Sequence, residues 1–186
     1  LLPSIRQIYG GAADRVLGCT HELQHGQQFD VGALRWQVIA APGHTRGSVL
    51  YHLLGAAGRD CLMTGDALFC GGCGAPFEEY CGECSRNLLT ITRECSDETL
   101  IFPGHEYTSR LLQQVLAEKI SHTGLKAPGS LMALAGARFM TSHRRKLGLP
   151  CDRLPTVPVS LGEERRLNPK FGYPLHRYAR MVLSVL

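Results

Sequence analysis

Three short pieces of this sequence set a metal-ligating side chain beside a glycine, just after an apolar run. They are Ala41-Pro42-Gly43-His44-Thr45, Met63-Thr64-Gly65-Asp66 and Phe102-Pro103-Gly104-His105-Glu106-Tyr107. Strand ends hold side chains rigidly, and glycine lets the backbone approach a ligand closely. Two imidazoles and a carboxylate suit zinc or iron. Asp66 has two oxygens and can bridge two metals. Water held between two metals becomes a hydroxide near neutral pH and can attack an ester-like carbonyl. The expected metal ligands are therefore His44, Asp66 and His105, with Asp66 also the expected catalytic residue. A lone histidine is more often a surface or satisfied core group, and His21, His25, His52, His122, His143 and His176 are read that way.

Two other patterns invite metal chemistry. His21-Glu22-Leu23-Gln24-His25 fits H-E-x-x-H, which binds zinc only when helical spacing brings both histidines to one face. Gly18 and Gly26 flank the stretch and no apolar stripe runs at helical spacing, so it reads as a polar strand and turn. Cys70, Cys73, Cys81 and Cys84 form C-x2-C-x7-C-x2-C, a spacing open to a structural zinc or to ordinary reduced thiols.

The ligand-bearing pieces need strands to carry them. Strands are expected over 33–40, 48–54, 61–63 and 99–102, with a turn over 30–33 and a helix over 82–94. Thr108 or Ser109 can cap a following helix, and apolar spacing places further helices after Ser130 and Pro174. The order is a β-rich portion over 1–107 and a helical extension over 108–186, which makes an α/β chain.

Apolar residues make up 44% and charged residues 19% of the 186 residues, which suits a globular chain and argues against disorder. No apolar run approaches the length of a membrane span. The eight cysteines are not spaced as a secreted disulfide framework, which points to a reducing, intracellular compartment. Between Arg138 and Arg180 ten Lys or Arg face three acids. That basic half is either a solvated surface or a site for an anionic ligand or RNA.

Taken in order, Ile8-Tyr9-Gly10-Gly11, P-G-H-T, T-G-D-A-L-F, G-C-G, P-G-H-E-Y-T, P-T-V-P and E-E-R-R-L-N-P resemble the metallo-β-lactamase superfamily, most nearly its glyoxalase II branch, the hydroxyacylglutathione hydrolases. The resemblance implies an αββα sandwich, here its C-terminal part, with a binuclear zinc or iron site at one end and a helical substrate-binding domain. It implies that His44 binds the first metal, His105 the second, and Asp66 both. The implied reaction is hydrolysis of an acylglutathione thioester such as S-lactoylglutathione, with Tyr107 lining the glutathione site and a mitochondrial or cytoplasmic location.

Two departures from that family bear on function. Its T-H-x-H-x-D-H motif, which supplies most of the metal ligands, belongs ahead of Ile8 and is absent from this chain. An upstream segment removed or omitted would explain this, and so would a fold retained without its site. The family also has a lysine and then a tyrosine shortly after G-C-G, where this chain reads Gly72-Cys73-Gly74-Ala75-Pro76-Phe77. Phe77 then takes a substrate-binding place, and Arg177 or Lys170 is left to supply the anion contact. The competing expectations are a persulfide dioxygenase, which the run Glu163-Glu164-Arg165-Arg166-Leu167-Asn168-Pro169 would suit, and a non-catalytic scaffold subunit of a larger assembly, with RNA as one option for its makeup.

Overall fold

In the computed structural model the apolar runs pair into sheet. The structure describes residues 5–78, 88–89, 92–108, 110–111, 114 and 157–171. Its strands are β1 (Tyr9–Gly11), β2 (His21–Leu23), β3 (Gln28–Val31), β4 (Leu34–Ala40), β5 (Val49–Leu54), β6 (Cys61–Gly65), β7 (Leu100–Pro103) and β8 (Val159–Ser160). Among the described residues, β3 to β8 form one six-stranded sheet in chain order, and β1 pairs with β2 in parallel.

β3 to β6 run as an antiparallel meander, because short turns such as that at Gly32 join neighbours directly. β6 and β7 are parallel, with Leu62 opposite Ile101 and Gly65 opposite Pro103. Leu62 and Ile101 are fully buried, and they join Ile39, Leu50, Leu68, Leu88, Val159 and Phe171 in the core. In β6 the alternation is plain: Leu62 and Thr64 point inward while Met63 is only half-buried. Burying side chains of this size is worth about 1.5–3 kcal/mol each, and this holds the strand ends in place.

His21-Glu22-Leu23 is strand β2, not helix. His21 Nδ1 meets the Thr20 hydroxyl at 2.8 Å, and His25 Nδ1 accepts the Ala40 N–H at 3.2 Å. The protease-like pattern is thus spent on local structure. The helix expected over 82–94 stops early, since residues 92–94 form a turn after the helical Leu88–Leu89 pair. The Leu88 carbonyl accepts both the Thr92 N–H at 3.0 Å and the Thr92 hydroxyl at 2.6 Å, and the Cys95 N–H then turns back to the Thr92 carbonyl at 3.1 Å. Most of the helical extension expected over 108–186 lies outside the described residues.

Helix α1 (Leu161–Leu167) follows β8 at once. Ser160 caps it: its hydroxyl accepts the Glu163 N–H and donates to the Glu163 carboxylate, both at 3.3 Å.

Candidate metal centre

Asp66 follows the last residue of β6, and His105 stands two residues beyond β7. The two strands are parallel neighbours, so both side chains emerge at one edge of the sheet. His44 comes from the turn between β4 and β5. Its Nε2 lies 3.4 Å from Oδ2 of Asp66, and His105 Nε2 lies 3.6 Å from Oδ1. Both separations are long for a hydrogen bond. They match the spacing of about 3.4 Å expected for two donors sharing a tetrahedral zinc at about 2.0–2.1 Å each. The arrangement is two pairs with a common aspartate. Among the described residues no group of three or more His, Cys, Asp or Glu closes around one point.

The backbone is shaped to permit these approaches. A Cβ on Gly104 would come within 2.8 Å of Asp66 Oδ1, and the Gly104 N–H donates to the Gly65 carbonyl at 2.8 Å. Gly74 passes over the other side, where a Cβ would sit 2.0 Å from the Asp66 carbonyl oxygen and 3.1 Å from His44 Nδ1. The next residue, Ala75, accepts a hydrogen bond from His44 Nδ1 at 2.6 Å. A carbonyl can only accept, so the proton is on Nδ1 and Nε2 is the nitrogen turned to Asp66.

A second carboxylate holds the His44 turn. Asp14 accepts the Gly47 N–H at 2.8 Å and the Thr45 hydroxyl at 3.0 Å. The Phe77 N–H donates to the His44 carbonyl at 2.8 Å, and the Arg46 N–H to the Glu78 carboxylate at 2.9 Å. An open cavity of about 440 Å³ lies beside the centre, lined by His44, Asp66, Thr64, Tyr9, Asp14 and Tyr51 among others.

Aromatic rings flank both imidazoles. Tyr107 stacks on His105 with ring centres 5.2 Å apart, and Phe69 meets Tyr107 edge-on. Phe77 stands 5.8 Å from the His44 ring and is 80% exposed. The structure thus brings together His44, Asp66, His105, Tyr107 and Phe77. Lys170 is exposed and close enough to Cys73 for its charge to favour the thiolate. Arg177, Cys81 and Cys84 lie outside the described residues. Cys70 is buried, and burial drives its thiol far above the ordinary range, while burial also raises Cys73. Both shifts oppose the thiolate that a zinc would need.

Comparison with known proteins follows the same lines. No family model matches the chain. It is 31% identical to the cytoplasmic hydroxyacylglutathione hydrolase of Arabidopsis thaliana over 171 residues, 91% of this chain and 60% of that protein. It is 35% identical to the hydroxyacylglutathione hydrolase of Fuscovulum blasticum, again over 91% of this chain and 60% of the relative. Among solved structures, that of ETHE1 from Myxococcus xanthus superposes with a TM-score of 0.53 at 23% identity, covering 95% of this chain and 57% of that one. The chain has the metallo-β-lactamase fold, and its sequence is similar to hydroxyacylglutathione hydrolases. A metallo-β-lactamase from Staphylococcus aureus shares the fold with a TM-score of 0.51 at 21% identity, over 97% of this chain and 44% of that one.

This metallo-β-lactamase-fold chain spans about 60% of the length of the two curated relatives above. Its sequence signals sufficed to single out the strand ends that carry His44, Asp66 and His105. They missed Asp14, the Ala75 carbonyl and the Glu164–Asn168 pair described below. The glycine in G-C-G was a usable signal, since a glycine beside a ligand marks a close backbone approach.

Proposed function

We propose that this chain carries the Asp66-centred part of a binuclear metal site serving hydrolysis of an acylglutathione-type thioester. The observation that supports this is the placement of two imidazole Nε2 atoms 3.4 and 3.6 Å from opposite oxygens of one carboxylate. Zinc or iron held there by His44, Asp66 and His105 would supply Lewis acidity toward the thioester carbonyl and water of lowered pKa.

The chain's own residues set the geometry. Asp66 offers one oxygen to each side. The Ala75 carbonyl keeps the His44 proton on Nδ1, and Asp14 fixes the turn that carries the ring. Tyr107 and Phe77 stand on the two flanks of the centre, where they would bracket the acyl group and the thiol arm. Lys170 is a candidate contact for a glutathione carboxylate. In the reaction water adds hydroxyl to the acyl carbon, the C–S bond breaks, and the thiolate takes up a proton. The products are glutathione and a hydroxy acid.

Each side of Asp66 holds two donors, whereas catalytic zinc usually has three protein ligands. Activity on S-lactoylglutathione is therefore expected from a form extended by a T-H-x-H-x-D-H segment, and not from the 186 residues alone. Asp66→Ala in the extended form should abolish turnover. Robust turnover by the 186-residue chain alone would refute this ligand assignment. An extended form that binds metal yet leaves the thioester intact would point to the scaffold reading.

A further inference from the structure

Glu164 and Asn168 lie deep inside the protein, 5% and 0% exposed. The Asn168 amide donates to the Glu164 carboxylate at 2.9 Å. Both side chains also reach one distant turn. Glu164 accepts the Gly71 N–H at 2.9 Å, and Asn168 donates to the Gly72 carbonyl at 2.9 Å and the Phe69 carbonyl at 3.3 Å. Asn168 Oδ1 in turn accepts the Lys170 N–H at 3.0 Å. The turn itself is closed by reciprocal backbone bonds between Phe69 and Gly72 at 3.0 and 3.2 Å.

That turn sits between two parts of the centre. Asp66 lies just ahead of it in the chain. Gly74, packed on the Asp66 carbonyl, and Ala75, which holds His44, lie just behind it. The chain reverses between them, so a displaced turn would shift both together. We infer that Glu164 and Asn168 are positioning residues for the His44–Asp66 pair, acting through the turn at 69–72 that they anchor from α1. The inference rests on the reading of that pair as metal ligands. Loss of a direct partner, as the Ala75 carbonyl is to His44, costs about 10- to 100-fold in metal affinity, which is the ceiling for residues acting through the turn.

The same helix supplies a control. Arg165 on α1 reaches the opposite way, to the carbonyls of Thr92 and Cys95 and to the Asp97 carboxylate. It ties α1 to the fold without touching the turn at 69–72. Asn168→Leu, Glu164→Gln and Arg165→Met are therefore compared in the whole chain. Three readouts apply: amide exchange over 69–77, the 15N resonance of His44 Nδ1, and affinity for Co²⁺.

Asn168→Leu should speed exchange across 69–77, change the His44 resonance and weaken Co²⁺ binding by up to about 10- to 100-fold. Glu164→Gln keeps an oxygen that can accept from both Gly71 and Asn168, so it should resemble the parent. Arg165→Met should lower thermal stability while leaving the His44 resonance and Co²⁺ affinity as in the parent. If Asn168→Leu fails to fold, Asn168→Ser leaves room for a water and should show the same changes more weakly. An unchanged His44 resonance in the Asn168 variants would overturn the inference. So would an Arg165→Met variant that disturbs the centre as much as they do. A form extended by the T-H-x-H-x-D-H segment that ignores Co²⁺ would count against the metal reading alone, since exchange and the His44 resonance still test the anchoring in the 186-residue chain.

Discussion

Gly74→Ala should unfasten the centre from one side. A Cβ there would lie 2.0 Å from the Asp66 carbonyl oxygen, which is backbone and cannot rotate away. Ordinary contact begins near 3.4 Å, so the segment must retreat by more than 1 Å. Ala75 moves with it. Its carbonyl is 2.6 Å from His44 Nδ1, and a shift of that size takes the bond beyond hydrogen-bonding range. Forcing a methyl into a packed site costs about 1–3 kcal/mol, and the broken hydrogen bond adds about 1 kcal/mol. The sum, about 2–4 kcal/mol, corresponds to a fall in Tm of roughly 5–15 °C for a chain of this size. Gly74 has no left-handed backbone, so the effect would be purely one of space. Gly26→Ala is the contrast: its φ is +79° but nothing lies within 4 Å of its Cβ position, so it should cost only about 1 kcal/mol and leave His44 undisturbed. Thermal unfolding with the His44 15N resonance tests both. A Gly74→Ala protein with the parent's Tm and His44 resonance would refute the reasoning.

Glu164 makes a pH prediction. Burial lifts its carboxyl from 4.5 to about 7, against the opposing pull of the Gly71 and Asn168 bonds and with Glu163 adding to the rise. The folded state then keeps a proton that the unfolded state releases, so this group's contribution to stability falls as pH rises from 4.5 to about 7 and levels off above. Denaturant unfolding of Glu164→Gln should lack that component, and a difference curve flat across the window would contradict the assignment. Ala75→Lys in the extended form places a cation near the centre while leaving the backbone carbonyl on His44. It should lower KM for S-lactoylglutathione several-fold with little change in kcat, as uniform binding does. His21→Ala with His25→Ala should leave Co²⁺ affinity unchanged, and a loss of binding would revive the H-E-x-x-H reading.

The strands were legible because Val38, Leu50, Leu62 and Ile101 fall at positions that a half-buried sheet requires, and each is fully or almost fully buried. The meeting of His44, Asp66 and His105 was legible because each follows such a run beside a glycine. The failure of H-E-x-x-H as a metal motif was legible from Gly18 and Gly26. The supports were not. Ala75 contributes a carbonyl, which every residue has and no letter advertises. Glu164 reaches a residue 93 positions away, and no local spacing encodes that partnership. The end of the helix expected over 82–94 was hidden for a related reason: the turn at 92–95 is closed by backbone groups, the Cys95 N–H on the Thr92 carbonyl, which periodicity does not register.

The parallel pairing of β6 and β7 has a consequence for the order of folding. Residues 61–65 find their partners at 100–103 only after a long loop has closed, and β8 arrives from 159–160. Closing loops of that length is entropically costly and gains nothing until the contacts form, whereas the meander from β3 to β6 can assemble locally. Asp66 and His105 therefore meet late, after the rate-limiting barrier if the meander is the nucleus. A metal spanning that edge would hardly speed folding. It would act almost wholly as a brake on unfolding, and so lengthen the lifetime of the folded chain.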